Sequence, residues 1–501
     1  MKVITPSQMR DLEQQAIREG ASERDFMEEA GSGVGLVVHE FVERFGLEHQ
    51  AILLAGKGNN AGDGYVAAIH LLHLDYHVHA YQFFPLLECS KLCQDNAKRF
   101  VDEGGVLTEV GFDTEIPFPL DGVIIDAIFG TGFSGSLDPI IAKSIHSANL
   151  SGLPIIAVDI PSGLNGETGE VEEAVILAAE TAFLTLPKQG FFLLNAWGSL
   201  GKLRYVDFGL NEEYIEDLPE QMEMLNDEMM FPLLPYIKRN RNKYEAGYVV
   251  GVAGSPEMPG AAILSSLAAL KGGAGMARLL YPKGMEVQLC MAPPEIIKSP
   301  IEFAYCDEIL DYLKKASSFF IGPGLGKSEA VNGLLSRLLP KIQIPTVIDA
   351  DALNSLSHRF VKVPEKTILT PHLGEMQRLL HLKNTPQVDM DFLNRCQKFA
   401  EDKNVTVVLK GAPTFIFHPG IPIHISSTGD PGLATAGTGD VLTGLIAALL
   451  AQGLSPHDAA CLGVYLHGLA GEQAALELTS YCMTASDLFD YLPMAFSFST
   501  Y

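Results

Sequence analysis

Short apolar runs that end at an aspartate or a glycine loop recur along the whole chain and constrain its fold most strongly. Because they show no polar alternation, they are typical of strands covered by helices on both faces, as in parallel sheets. We therefore predict an α/β fold, with ligand sites at the sheet edge where the strands end. The predicted strands are Ala51–Ala55, Val123–Asp126, Ile155–Asp159, Thr181–Leu186, Tyr248–Ala253, Phe319–Ile321, Thr346–Asp349, Ile368–Leu369 and Val405–Leu409.

The length of 501 residues predicts more than one domain, because single cores stop growing at about 250 to 300 residues. Residues 1–210 form the first predicted domain and residues 226–501 the second. Residues 211–243 mix acids, prolines and bases without a strand pattern, so we interpret them as a linker and lead-in segment.

The formal charge of −26 argues against binding to nucleic acid or to anionic membranes, since no basic patch offsets it. An anionic small ligand must then be held by backbone amides and a few placed cations. The seven scattered cysteines favour a reducing compartment over a disulfide framework. With no signal-like start and no membrane-spanning apolar run, we expect a cytoplasmic protein.

Three glycine- and aspartate-rich strand ends in the first half predict one site. The loop at residues 56–64 lies between a strand and a helix, an arrangement typical of phosphate binding. It also matches the dinucleotide fingerprint of dehydrogenases, but the next predicted strand, Val78–Gln82, lacks the acidic residue that would bind a ribose. The segments at residues 126–132 and 158–164 end two further strands. Each alone is compatible with an ordinary tight turn, whereas all three should converge at one sheet edge.

These motifs resemble the YjeF-type NAD(P)H-hydrate epimerases over residues 1 to about 210. The resemblance rests on Gly58-Asn59-Asn60-x-Gly62-Asp63-Gly64, Gly130-Thr131-Gly132, Val158–Leu164 and the early Phe26-Met27-Glu28-x-Ala30-Gly31. It implies a Rossmann-like three-layer domain in which Asp159 moves the proton during epimerisation at nicotinamide C6. It also implies a potassium ion held by Asn60, Asp126 and Ser162. The implied contacts to the hydrated cofactor are Asn59, Asn60, Ala61, Gly62, Asp63, Gly130, Thr131, Gly132, Phe133, Ser134, Gly135, Ser136 and Asp159.

Ala61 departs from the family pattern, which usually has glycine at this position. If the backbone there needs a positive φ, alanine costs stability or reshapes the loop.

A glycine-aspartate motif begins an apolar helix in the second half. In Gly437-Thr438-Gly439-Asp440, backbone amides at the helix start form a hole for developing negative charge, and Asp440 is placed to accept a proton from a hydroxyl. Ribokinase-like kinases use this arrangement. Alone, the motif is also compatible with an aspartate that only stabilises a first helical turn. The segment from Gly322 to Ser328 superficially suggests a P-loop, but Ile321 stands where that motif needs glycine.

Together with the segments at residues 347–354, 370–375 and 409–414, this motif resembles the ADP- or ATP-dependent NAD(P)H-hydrate dehydratases over about residues 226–501. The resemblance implies a ribokinase-like domain and Mg²⁺ bound with ADP or ATP. It implies hydrate contacts at Ala261, Gly324, His372 and Asp440, with Asp440 catalytic. The implied nucleotide contacts are Lys410, Gly411, Ala412, Pro413, Thr414 and Gly439. Asn242 stands where the family tends to have histidine, so a nucleotide contact by that segment stays open.

The two resemblances predict a bifunctional enzyme that repairs hydrated NADH and NADPH. Its first domain would interconvert the R and S hydrates. Its second would phosphorylate the C6 hydroxyl of the S hydrate and eliminate phosphate. The alternative is a ribokinase-like small-molecule kinase fused to a non-catalytic nucleotide-binding domain. We also expect a homo-oligomer.

Overall fold

The computed structural model describes residues 1–112, 114–133 and 135–497. The chain forms two compact units, Met1–Met222 and Glu223–Tyr501. Within the described ranges, no helix combines the length and apolar character needed to cross a membrane. All seven cysteines are free thiols.

The first unit is a parallel sheet of seven strands with helices between them. Its sheet has the order β4-β3-β2-β5-β6-β7-β8, and every pair in it is parallel. The strand order reverses between β2 and β5, where open α/β sheets bind ligands, and the predicted Rossmann-like arrangement is confirmed. The elements are β1 Lys2–Val3, α1 Pro6–Arg18, α2 Glu23–Phe45, β2 Gln50–Ala55, α3 Asn59–His73, β3 His77–Gln82, α4 Lys91–Asp102, β4 Val106–Glu109, β5 Val123–Ala127, α5 Pro139–Leu150, β6 Ile155–Val158, β7 Glu180–Leu184, α6 Trp197–Leu200, β8 Lys202–Val206 and α7 Glu212–Glu216.

Local sequence explains how the first unit begins. The Thr5 hydroxyl accepts a hydrogen bond from the Gln8 amide at 3.2 Å, and the Gln8 side chain accepts one from the Thr5 amide at 2.8 Å. This capping box, with Pro6 at the first helical position, starts α1 where the sequence predicts it. The helices α2 and α3 then pack closely, since a Cβ on Gly31 would lie 2.4 Å from Val66 Cβ.

The second unit contains a larger mixed sheet. Strands β16-β15-β14-β13-β10-β11-β12 are parallel neighbours in that order, while β17 and β18 extend the sheet in antiparallel pairing. The elements are β9 Met222–Met224, α8 Asp227–Met230, β10 Tyr248–Val252, α9 Pro259–Lys271, β11 Met276–Pro282, β12 Ile297–Ile301, α10 Cys306–Leu313, β13 Ser318–Ile321, α11 Glu329–Leu338, β14 Thr346–Ile348, α12 Asp351–His358, β15 Thr367–Leu369, α13 Leu373–Leu379, α14 Met390–Lys403, β16 Thr406–Leu409, β17 Thr414–Phe417, β18 Ile423–Ser426, α15 Thr438–Ala451, α16 Pro456–Cys482 and α17 Leu488–Ser497.

The helix that carries the glycine-aspartate motif lies at the centre of the second core. All its residues from Val441 to Ala451 are buried, and it packs against α9 so closely that a Cβ on Gly444 would lie 2.0 Å from the Ser265 carbonyl oxygen. This close approach fixes the middle of α15 against the middle of α9.

The strand predictions locate most central strands but miss several others. All ten predicted strands, Val78–Gln82 included, are present, and their ends agree within two residues. The sequence prediction omits several strands, among them β8, β11 and β12, which contain charged residues, and the antiparallel β17 and β18. The segment interpreted as a linker, residues 211–243, contains α7, β9 and α8.

We predict that Gly31→Ala destabilises the first unit. The added methyl would also meet the Asp63 carbonyl oxygen at 2.7 Å, so α2 and α3 must separate, at a cost of about 1–3 kcal/mol. Urea unfolding measures this loss. The control is Gly333→Ala in α11, where the new Cβ meets nothing within 4 Å and should stabilise the helix by up to about 1 kcal/mol. Equal effects of the two substitutions would contradict the packing argument.

Candidate active sites

The first glycine loop is shorter than the sequence predicts, because helix α3 already begins at Asn59. Gly58 precedes the helix without a side-chain cap, so the amides of its first turn are available to an anion. Gly56 cannot be replaced there, since a Cβ would lie 1.8 Å from the Ile128 carbonyl oxygen. The loop thus joins the ends of β2 and β5, where the strand order reverses.

Ala61 lies in the first turn of α3 and is fully buried. Its backbone is right-handed and helical, so this position does not need a positive φ. The expectation that alanine costs stability or reshapes the loop for that reason is therefore wrong. Asn60, Ala61, Gly62 and Asp63 follow one another along this turn, and only Asn59 is exposed.

A chain of hydrogen bonds joins the three residues predicted to hold potassium. The Asp126 carboxylate accepts bonds from the Ser162 amide at 2.7 Å and the Ser162 hydroxyl at 2.6 Å. The Ser162 hydroxyl in turn accepts one from the Phe129 amide at 3.0 Å, and the Asn60 side-chain amide donates to the Phe129 carbonyl at 3.0 Å. Burial raises the pKa of Asp126 to about 6, although its bonds from Ser162 oppose the shift.

Asp159 follows β6 with φ of 61°, in the left-handed region that non-glycine residues rarely occupy. Its carboxylate accepts hydrogen bonds from the Leu184 amide and from the fully buried Lys188 ammonium. The backbone of Ile4 holds this lysine segment: its amide donates to the Pro187 carbonyl at 3.1 Å and its carbonyl accepts from Gln189 at 2.7 Å.

Two further carboxyls lie close enough to interact with Asp159. Burial, together with the Asp159 charge and against the opposing effect of Lys188, raises the pKa of Glu13 to about 7. Burial also raises the pKa of Asp63 well above its ordinary value, with added repulsion from Asp159 and Glu13. The site therefore holds three acidic side chains around one buried ammonium group, an arrangement suited to keeping and moving protons.

The loop after β5 completes the first site. Gly130 adjoins the Asn60 side chain, since a Cβ there would lie 3.1 Å from its oxygen. Thr131 and Phe133 are partly exposed, and Gly132, Gly135 and Ser136 are exposed. Ser134 lies outside the described residues.

A buried ion pair organises the second site. Asp349, at the end of β14, accepts hydrogen bonds from Lys410 Nζ at 2.8 Å and from the Thr443 hydroxyl at 2.7 Å. Burial lowers the pKa of Lys410, but the carboxylates of Asp349 and Glu375 outweigh it and leave the pKa raised. Lys410 Nζ also lies 3.4 Å from the position of a Cβ on Gly439, and therefore at the start of α15.

Asp440 lies in the first turn of α15, after the left-handed Gly437, and no side chain caps this helix. Burial raises the pKa of Asp440 to about 7, and the Asp349 charge adds to the shift while Lys410 opposes it. A carboxyl with this pKa changes its protonation near neutral pH, as a general base should. The predicted juxtaposition of the helix start with Asp440 is present in the structure.

His372 caps helix α13 while also bordering the ion pair. Its Nδ1 accepts hydrogen bonds from the Gly374 and Glu375 amides at 3.0 and 3.4 Å. Its backbone pairs with that of Lys410, whose amide donates to the Pro371 carbonyl at 2.8 Å. Burial lowers the pKa of His372, and the Lys410 charge lowers it further. Nδ1 thus has a structural role, while Nε2 lies 3.5 Å from Glu375 Oε1.

The predicted hydrate and nucleotide residues lie on loops and in the first turns of helices that follow strands of the sheet. A Cβ on Gly324 would lie 2.9 Å from Ala261 Cβ, so the loop of Gly324 touches the first turn of α9. Helix α9 also contacts the residue before α15, since a Cβ on Gly437 would lie 2.7 Å from Leu264 Cδ1. The turn from Lys410 to Thr414, which includes Gly411, Ala412 and Pro413, closes with a hydrogen bond from the Thr414 hydroxyl to the Gly411 carbonyl at 2.9 Å.

Comparison with known proteins identifies both halves of the chain. Residues 23–190 match the family model described as YjeF-related protein N-terminus, and residues 249–494 match the model of NAD(P)H-hydrate dehydratase. A bifunctional NAD(P)H-hydrate repair enzyme from Moorella thermoacetica is 35% identical over 92% of this chain and 90% of its own length. The chain belongs to the family of bifunctional NAD(P)H-hydrate repair enzymes. Another member, from Thermofilum pendens, is 34% identical over 99% of this chain and 96% of its own.

A solved structure also matches the second unit of this repair enzyme. A ribokinase-like superfamily protein from Enterococcus faecalis, 29% identical, superposes with a TM-score of 0.51 over 56% of this chain and 98% of its own. The predicted ribokinase-like fold of the second half is thereby confirmed.

Some residues of the repair enzyme's sites are missing from the sequence prediction. Lys188 follows the end of β7, and its position after a strand end could have indicated that it belongs to the site. Nothing in the sequence around Glu13 indicates a role in the site. Asp349 and Glu375 lie within the recognised motifs but were assigned no role. Two hydroxyls close to strand ends, Thr185 Oγ1 after β7 and Ser255 Oγ after β10, are buried without a hydrogen-bond partner within the described part of the chain.

We predict that Lys188→Met lowers the free energy of unfolding by about 3–5 kcal/mol, because it leaves the buried Asp159 carboxylate without its partner. Urea unfolding of the full chain provides the measurement. The control is Lys143→Met, an exposed lysine on α5, which should change stability by no more than about 0.5 kcal/mol. Similar losses in both variants would refute a special role for the buried pair.

Proposed function

We propose that the first unit interconverts the R and S hydrates of NADH and NADPH, and that the second dehydrates the S form with ADP or ATP. Family membership supports both activities. The single observation that best supports the chemistry is Asp440, a carboxyl with a pKa of about 7 at an uncapped helix start beside Lys410.

In the epimerase site, Asp159 moves the proton at nicotinamide C6. Lys188 fixes its carboxylate through a buried hydrogen bond, which leaves the second carboxylate oxygen for the substrate. The amides at the start of α3 bind the phosphates of the hydrate, and the loop of residues 130–136 covers the cofactor. Asp63 and Glu13, whose pKa values are raised, accept or supply protons without adding fixed negative charge.

The donor set around Asp126 fits the proposed potassium ion. The Asp126 carboxylate accepts from the Ser162 hydroxyl, which accepts from the Phe129 amide, and the Asn60 side-chain nitrogen donates to the Phe129 carbonyl. The oxygens available to the ion are those of the Asn60 side chain, the Asp126 carboxylate, the Ser162 hydroxyl and the Phe129 carbonyl. All are oxygen donors, which hard cations prefer. The ion would supply positive charge to the otherwise costly buried carboxylate and so hold the residue 126–130 loop in place.

In the dehydratase site, Asp440 accepts the proton of the C6 hydroxyl as that oxygen attacks the terminal phosphoryl group of the nucleotide. The amides at the start of α15 stabilise the charge that develops on the phosphoryl oxygens. The phosphorylated carbon then loses phosphate, with a proton from C5, and the C5–C6 double bond returns. Phosphate leaves readily, whereas hydroxide does not.

The remaining groups of this site bind and orient the two substrates. Lys410 and the turn to Thr414 contact the nucleotide, while Ala261, Gly324 and His372 contact the hydrate. The carboxylates of Asp349 and Asp351 provide oxygen ligands of the kind that Mg²⁺ prefers when it accompanies a nucleotide. The ion would neutralise the transferring phosphoryl oxygens. We also propose a cytoplasmic location and a homo-oligomeric state, on the sequence arguments alone.

Asp159→Asn should abolish consumption of the R hydrate while consumption of the S hydrate continues. Asparagine tolerates the left-handed backbone at this position, and the loss of the proton-transferring group should slow epimerisation at least about 100-fold. The rate is measured with ADP and each purified hydrate, after subtraction of the enzyme-free rate. If the variant consumes R hydrate as fast as wild type, the first unit is a binding module only.

Asp440→Asn should lower the rate of dehydration of the S hydrate by about 100-fold or more and leave the rate of R-to-S conversion unchanged. In wild type, kcat/KM should rise with pH through about 7, because the base must be ionised and burial raises the pKa of Asp440 to about 7. A pH profile that is flat from 5.5 to about 8.5 would oppose this assignment. A phosphorylated product that persists, without return of dihydronicotinamide absorbance, would instead favour the small-molecule kinase.

The same variant tests the cost of the buried carboxyl. Since the folded protein holds the Asp440 proton up to about pH 7 and the unfolded chain loses it near the ordinary value of 3.8, ionisation lowers stability as pH rises through this window. Asp440→Asn should therefore have a higher Tm than wild type at pH 8, and the difference should vanish at pH 4.

A further inference from the structure

Two histidines and a cysteine converge away from the catalytic loops of the second unit. His424 lies on β18, while His457 and Cys461 lie one turn apart on α16. The three potential ligand atoms all lie within 4.8 Å of one another. We call His424, His457 and Cys461 the His–Cys cluster.

Two of the three distances between ligand atoms in the His–Cys cluster match those of a tetrahedral zinc site, and the third, from His424 to Cys461, is within 4.8 Å. His457 Nε2 lies 3.3 Å from His424 Nδ1 and 3.5 Å from Cys461 Sγ. Tetrahedral zinc, with Zn–N of about 2.0 Å and Zn–S of about 2.3 Å, separates two ligand nitrogens by about 3.3 Å and nitrogen from sulfur by about 3.5 Å. The side chains therefore need little movement to bind the ion.

Each histidine of the cluster also has a carboxylate on its other ring nitrogen. His457 Nδ1 lies 3.2 Å from Asp458, and His424 Nε2 lies 3.2 Å from Glu223. Carboxylates placed in this way orient metal-binding histidines and raise their basicity. His424 Nδ1 also lies 3.1 Å from the Pro422 carbonyl, an acceptor that favours a proton on Nδ1 in the metal-free protein. Metal binding at Nδ1 must therefore displace this proton, leaving the ring proton on Nε2, toward Glu223.

The burial of the cluster suits a protected site with one access route. Cys461 is fully buried and His424 is 5% exposed, whereas the His457 side chain is 16% exposed. An ion can therefore reach the cluster along the His457 edge. The thiol proton is released to solvent when the sulfur binds, as in other thiolate sites.

The His–Cys cluster is separate from the active site, yet it shares a helix with it. Further along α16, His467 Nε2 lies 3.0 Å from the carbonyl of Thr438, the residue before Gly439 and Asp440. Ten helical residues separate His457 from His467, a distance of about 15 Å. An ion at the cluster would thus fix α16 to β18 without touching the nucleotide or hydrate.

We propose that this chain binds a zinc ion through His424, His457 and Cys461, with water in the fourth position. Zinc is preferred because the ligands are two imidazoles and a thiolate in tetrahedral geometry. The ion joins α16 to the antiparallel edge of the sheet and stabilises the second unit.

The test uses the untagged full chain, stripped with a chelator and titrated with Co²⁺ and then with Zn²⁺. Cobalt should give the intense visible bands of a tetrahedral site and a thiolate-to-cobalt charge-transfer band, and Zn²⁺ should abolish both. Saturating Zn²⁺ at about 100 times its Kd should also raise the Tm by about 5 °C or more.

Three substitutions and one matched control locate the ion. Cys461→Ser should remove the charge-transfer band, His457→Asn should weaken Zn²⁺ binding at least about 100-fold, and Asp458→Asn should weaken it about 10-fold or more. The control, Cys396→Ser, replaces another fully buried thiol, on α14, and should retain all the spectra. His49→Asn removes the second group of possible ligands, His39, Glu43 and His49, and should likewise change nothing.

The outcomes separate clearly. A wild-type chain without the charge-transfer band, or a Cys461→Ser chain that keeps it, overturns the proposal. So does a stoichiometric zinc content that is lost in His49→Asn and kept in His457→Asn. If Cys461→Ser fails to fold, the partly exposed His457→Asn variant decides the question by its zinc affinity alone.

Discussion

Parallel pairing of the central strands determines where this protein can perform chemistry. Because neighbouring strands run in the same direction, their carboxyl ends lie along one edge of each sheet, and every loop that leaves this edge is close to the next. Apolar residues fill the strands, so polar residues of a motif must follow the strand end. Asp159 and Asp349 directly follow β6 and β14, and Asp126 is the next-to-last residue of β5.

In each site, a single buried or partly buried lysine stabilises a group of buried carboxyl side chains. Lys188 serves the first unit and Lys410 the second, and each donates to an aspartate at a strand end. Burial raises the pKa values of the remaining carboxyls, and repulsion from the neighbouring acids, which one ammonium group cannot neutralise, adds to the shift. These carboxyl groups therefore remain protonated up to near neutral pH, which suits chemistry that transfers protons in this range.

The sequence predicts the parts of this architecture that depend on local patterns. Apolar runs locate the central strands, and the capping box at Thr5 locates α1. Edge strands such as β12, with a proline and a lysine among its five residues, lack that pattern because they are less buried. Local patterns also do not predict contacts between residues that are distant in the sequence. Glu13, for example, comes close to Asp159 only because α1 packs against the first site. The expectation of a positive φ at Ala61 was wrong for a related reason. Helix α3 begins at Asn59, after a loop in which Gly56 contacts Ile128, and the number of glycines in the loop does not predict that start.

The backbone bonds of Ile4 tie the first residues of the chain to the segment that carries Lys188. These bonds lie beside the end of β7, so the position of the lysine depends in part on a residue that carries none of the site chemistry. A substitution or a proteolytic cut beside Ile4 would therefore act on the epimerase centre at long sequence range. A short segment remote from every motif is in this fold a structural support of the active site.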